Sequence, residues 1–107
     1  MIGKIVKVKV DRPLGSSHPD YPEHIYQINY GYVEGVIAPD GEEQDVYILG
    51  VDKAVDEYEG ELIAVIKRED DVEEKWVVAP SGIRFTLEEI EDAVKFQEKY
   101  FKSYIEM

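Results

Sequence analysis

Cysteine is absent from the 107 residues, which excludes a disulfide framework, a thiolate nucleophile and every cysteine-ligated zinc or iron–sulfur site. Any metal would have to be held by oxygen ligands or by the two histidines, His18 and His24. Long apolar runs are missing too. The opening MIGKIVKVKV alternates apolar residues with Lys and Gly, without the continuous apolar core of a signal peptide, and no stretch approaches the length of a membrane span. The expectation is a cytoplasmic, soluble protein with no membrane partner. Positive charge is scarce: 12 Lys+Arg stand against 24 Asp+Glu, a formal net charge of −12. Such a chain repels a phosphate backbone instead of releasing its counterions, so nucleic acid is not an expected partner. Neither G-x-x-x-x-G-K-[ST] nor G-x-G-x-x-G occurs, which removes the common phosphate cradles. The lack of G-x-S-x-G removes the serine-hydrolase elbow.

What is present suffices for one domain over residues 1–107. A chain of this mass buries about two-thirds of its unfolded surface, and 44% hydrophobic residues can fill one modest core. Lys4 to Val10 alternates Lys with β-branched residues, the period of a half-buried strand. Asp11 to Glu23 carries three prolines and reads as the longest irregular loop. Strands are expected at Ile25 to Tyr32 and Val33 to Ala38, with Gly31 and Gly35 as bulges or bends. Further strands are expected at Asp45 to Leu49, Leu62 to Ile66 and Lys75 to Ala79. The period then changes. Thr86 followed by Glu89 is a capping box, and Ile90, Val94, Phe101 and Tyr104/Ile105 recur at helical spacing, predicting a helix over 87–105. The expected fold is mainly β with α: a small five-stranded antiparallel barrel, closed or strongly twisted, with a C-terminal helix.

Two acidic clusters fall at turns between strands. Asp40-Gly-Glu42-Glu-Gln-Asp45 places carboxylates two and five residues apart, where they can converge on a hard divalent cation. By spacing alone the segment reads more readily as a polar hairpin with solvated acids. Asp70-Asp71-Val-Glu73-Glu74-Lys75 crowds four acids into five positions, which repel unless exposed or neutralised. Eight tyrosines are many for this length, and Tyr26, Tyr30 and Tyr32 share one face at even spacing. His18 and His24 flank the proline-rich loop and are assigned no role.

With these residues in view, Tyr26-Gln-Ile-Asn-Tyr30-Gly-Tyr followed by Asp40-Gly-Glu42-Glu-Gln-Asp45-Val resembles the signature of the soluble family I inorganic pyrophosphatases, Y-P-x-N-Y-G-[FY] and then D-G-D-P-[apolar]-D-[apolar]. The resemblance continues at Val10-Asp11-Arg12, at Ala64-Val-Ile-Lys67 through Asp70, Asp71 and Glu73 to Lys75-Trp-Val-Val-Ala-Pro80, and at Phe96-Gln-Glu-Lys-Tyr100. It implies an OB-like barrel and magnesium-dependent hydrolysis of diphosphate to two orthophosphates, with manganese as a substitute metal. It assigns Asp40, Asp45, Asp70 and Glu73 to metal, Glu42 to orienting or deprotonating the attacking water, and Arg12, Tyr30, Lys75 and Tyr100 to the phosphates, with Tyr30 and Lys75 also in the catalytic set. It further implies a homo-oligomer.

The departures are specific. The family's basic aspartate is Glu42 here, and an ångström of displacement can cost roughly a hundredfold in rate. Glu43 and Gln44 replace a proline and an apolar residue, Glu73 replaces an aspartate, the segment from Asp70 to Glu73 is two residues shorter, and Phe101 stands where a lysine follows the tyrosine. The family's upstream strands, with a glutamate and a Lys-x-Glu pair, have no counterpart in these residues. Two functions remain open: a metal-dependent diphosphate hydrolase, or a catalytically impaired module of the same fold that binds a phosphate compound or metal as sensor or partner.

Overall fold

In the computed structural model, which describes residues 2–69 and 72–107, the strands are β1 (Ile5–Arg12), β2 (Asn29–Ile37), β3 (Glu43–Ile48), β4 (Glu57–Arg68), β5 (Glu74–Ala79) and β6 (Ser103–Glu106), with one helix, α1 (Leu87–Glu98), before β6. The sheet order is β1-β2-β3-β5-β4-β6, and a further β1–β4 pairing closes the first five strands into a barrel. The five-stranded barrel with a C-terminal helix is thus the observed architecture. It departs from the all-antiparallel expectation at one seam: β3 and β5 run parallel, with Val46 opposite Trp76 and Ile48 opposite Val78.

Period-2 alternation sorts the strand residues into two cores. One holds Val6, Val8, Val33, Val46, Ile48, Leu62, Trp76 and Val78; drawn from all five barrel strands and from no helix, it is the barrel interior. The other holds Tyr47, Leu49, Ala64, Ile66, Val77 and Ala79 with Ile90, Val94 and Phe96 of α1. The outer faces of β3, β4 and β5 are therefore covered by the helix. Burial on both faces explains the near-continuous apolar run Trp76-Val-Val-Ala79 in β5.

The expected break between two strands at residues 32–33 does not occur: β2 is continuous, and Gly31 serves a different purpose. A Cβ there would lie 1.9 Å from the Lys9 carbonyl oxygen, so the close approach of β1 and β2 needs glycine. Gly35, at φ +81°, falls where the β2–β3 register shifts between Val33 and Ile37.

The helix begins as predicted. Thr86 accepts from the Glu89 amide at 3.1 Å and its own amide donates to Glu89 Oε1 at 2.8 Å. It ends at Glu98, seven residues before the expected end at 105. Tyr104 and Ile105 lie in β6, antiparallel to the second half of β4, with Ile105 opposite Ile66. The first half of that β4 edge is taken by β1, from Glu57 to Glu61. The rest is an open ladder, and its hydrogen bonds outweigh helical propensity in a short polar tail. No helix among the described residues is long and apolar enough to cross a membrane.

Candidate anion-binding cleft

The outer face of the barrel beside α1 opens into a cleft of about 940 Å³. Strand register builds its floor. Arg12 is opposite Tyr30 across β1 and β2, and Asp45 and Lys75 each precede the Val46–Trp76 pair, which sets them side by side on the parallel seam. Asp45 shares its face with Tyr47, and Lys75 shares its face with Val77, so both side chains emerge on the helix-covered side. Arg68 from β4, Gln97 from α1 and Tyr100 and Phe101 beyond it add to the lining, as do His18, Tyr21, His24 and Tyr26 from the proline-rich loop.

That loop is more ordered than its composition indicates. Ser17 and Ile25 form a bridge, Gly15 and Tyr26 exchange backbone bonds with Tyr26 and Ser16 at 2.8 and 2.9 Å, and the His18 amide donates to the His24 carbonyl at 2.9 Å. Fully buried Asn29 holds its base: Oδ1 accepts from the Leu14 and Val55 amides at 2.9 and 3.3 Å, and Nδ2 donates to the Lys53 carbonyl at 2.9 Å. A short polar side chain that satisfies three backbone groups explains why asparagine stands between Tyr26 and Tyr30.

The charges form one connected network. Lys75 Nζ donates to Asp45 Oδ2 at 2.7 Å and to Glu73 Oε1. Arg68 donates to Glu73 Oε2 at 2.6 Å and to both oxygens of Glu98 at 2.9 and 3.3 Å, while its guanidinium lies 3.6 Å from the centre of the Phe101 ring. Glu98 also accepts from the Tyr47 hydroxyl at 2.6 Å, and that hydroxyl accepts from Gln97 at 2.7 Å. The Lys75 and Arg68 side chains are only 5% and 6% exposed, so each cation must be compensated at close range. Burial pulls the Lys75 pKa down, but Tyr30, Asp45 and Glu73 outweigh it and the net shift is upward. Burial raises the Tyr30 pKa, against the opposing pull of Lys75; both groups stay protonated at neutral pH. Arg12 is the more available cation: its ion pair with Asp11 is loose at 3.8 Å, and it also donates to the Asp11 carbonyl at 3.3 Å.

Of the residues singled out in the sequence, Arg12, Tyr30, Asp45, Lys75 and Tyr100 line the cleft. Glu73 stands beside it on Lys75 and Arg68. Asp40 and Glu42 do not line it: they are exposed at the β2–β3 turn, where Asp40 Oδ1 accepts from the Glu42 amide at 3.0 Å. That is the solvated hairpin tip that spacing alone allowed. Asp70 lies outside the described residues. Among the described residues no group of three His, Asp or Glu side chains is placed to hold a metal ion, because Asp45 and Glu73 are committed to Lys75. The described donor set does not fit a magnesium centre. Arg68 and Glu98 were missed in the sequence and Asn29 was given no role, since the Arg68–Glu98, Tyr47–Glu98 and Asn29–Lys53 contacts span 30, 51 and 24 residues and leave no spacing signal; for the loop aromatics, the even spacing of Tyr26 and Tyr30 pointed here.

Comparison with solved structures places this fold. The chain resembles an inorganic pyrophosphatase from Ehrlichia chaffeensis at TM-score 0.73 and 14% identity, over 99% of this chain and 87% of that one. It resembles one from Coxiella burnetii at TM-score 0.67 and 14% identity, over 99% and 86%, and one from Neisseria gonorrhoeae at TM-score 0.66 and 20% identity, over 92% and 74%. No family model and no curated protein matches the chain.

Proposed function

We propose that this chain, built on the fold seen in inorganic pyrophosphatases, uses the cleft to bind a compact phosphate anion of the diphosphate class. One observation carries the reading: Arg12, Tyr30, Lys75 and Tyr100, the four residues the resemblance assigns to phosphate, come from β1, β2, β5 and the turn after α1 and line the same cleft. Arg12 supplies an accessible forked donor suited to phosphate oxygens. The Tyr30 and Tyr100 phenols offer neutral O–H donors. Lys75 contributes positive charge once the anion competes with Asp45 for its ammonium. As an acidic, cysteine-free domain the protein suits the cytoplasm.

A second reading, hydrolysis of diphosphate with magnesium or manganese from solution, is supported by the likeness to solved inorganic pyrophosphatases and requires the metal to take Asp45 and Glu73 from the Lys75 ammonium. The test is twofold. Titration with diphosphate should show saturable binding that Arg12→Ala weakens by at least about tenfold, the loss of a charge-assisted contact; no binding in a folded sample would sink the first reading. Orthophosphate release with Mg²⁺ and then Mn²⁺, compared with Asp45→Asn, decides the second. Turnover lost in Asp45→Asn, together with a metal-dependent rise in melting temperature, supports hydrolysis. Binding without turnover leaves the phosphate-binding module.

A further inference from the structure

The cleft is larger than its cationic end requires. At about 940 Å³ it stands near the top of the roughly 300–1,000 Å³ range of small-molecule sites, and a bare diphosphate would leave much of it empty. The remainder is walled by rings. Tyr21 lies 5.1 Å from His18 between centroids, His18 is nearly parallel to Tyr26 at 6.4 Å and 13°, and Tyr26 stacks on Tyr30 at 5.6 Å and 24°. Lys75 Nζ is then 5.6 Å from the centre of the Tyr30 ring. A file of aromatic faces thus runs from the loop to the buried ammonium. Tyr21 and Tyr100 are 67% and 66% exposed, apolar faces that a flat ligand would cover. His24, in the same wall, keeps Nε2 buried with no hydrogen-bond partner among the described residues.

The lining also includes Asp11 and Glu23. The carboxylates oppose an inorganic anion, and ring faces, as distinct from phenol hydroxyls, contribute nothing to holding it. They suit a ligand that joins phosphate to hydroxyl and amino donors and to a planar heterocycle. Resting on the phosphate-binding reading above, we propose that the cleft takes a nucleoside diphosphate, with its phosphates at Arg12 and Lys75 and its base against the Tyr21 and His18 rings, which the buried Tyr26 ring backs. The acids accept from the sugar hydroxyls or the amino group of the base.

Calorimetric titration of the full chain with ADP, CDP and inorganic diphosphate tests this. At least one nucleotide should bind about tenfold or more tightly than diphosphate, the size of a single base–aromatic stack. In Tyr21→Ala and His18→Ala that ratio should fall towards one, with an unchanged melting curve as the check on folding; Tyr21, being exposed, can be removed without opening a core. Diphosphate binding with no preference for either nucleotide overturns the inference and leaves the phosphate reading standing. A preference that survives both substitutions overturns the placement of the base. No binding of any of the three removes both readings.

Discussion

Lys75 concentrates the residue-scale consequences. It is buried and bonded to two carboxylates, so Lys75→Met removes the cation and leaves Asp45 and Glu73 facing each other. Breaking such a pair costs about 3–5 kcal/mol when fully buried, and with the acids 32% and 23% exposed the lower end, about 3 kcal/mol, is expected in urea unfolding. The same residue sets an alkaline limit. Lys75 and Tyr30 both have folded pKa values raised above their unfolded ones, so above about pH 10 the folded chain holds more protons than the unfolded chain. Their contribution is complete below that pH and is lost as pH rises through the raised values. Melting temperature should therefore decline from about pH 10 upward, and Lys75→Met should flatten the decline. Lys75, Asp45 and Tyr30 were legible in the sequence because their types and order form a pattern. Arg68 and Glu98 were not, because an ion pair 30 residues apart follows from the fold alone.

At the level of elements, local signals succeeded where the interaction is local. The Thr86 capping box was readable and forms; Thr86→Ala should destabilise by about 1 kcal/mol, seen as a lower urea midpoint. Gly31→Ala should be far worse, since the new Cβ meets the Lys9 carbonyl at 1.9 Å; loss of the cooperative melt by circular dichroism is the expected result. The helix end was misjudged because Tyr104 and Ile105 fit a helical period as well as a strand period, and the choice was made by the open edge of β4. Removing residues 103–107 should expose that edge and promote aggregation at micromolar concentration, measurable by light scattering.

For the whole molecule, closure of β1 on β4 joins the two cores through shared strands, so a one-domain reading requires a single unfolding transition with coincident fluorescence and circular dichroism curves. Two transitions would refute it. Self-association, implied by the resemblance alone, is tested by sedimentation at micromolar concentration, where a monomer would dispose of it.

The sequence by itself determined the central stretch of each barrel strand, the helix start and the absence of thiol chemistry, because each depends on composition or on neighbours within a few positions; the residues assigned to phosphate followed from the resemblance. Tertiary structure alone decided the parallel β3–β5 seam, the conversion of the tail into β6 and the separation of Asp40 and Glu42 from Asp45. It also decided that Asp45 and Glu73 answer a buried lysine. These outcomes depend on which backbone edge is open and which charges share a low-dielectric face, and both are set only when strands distant in sequence meet.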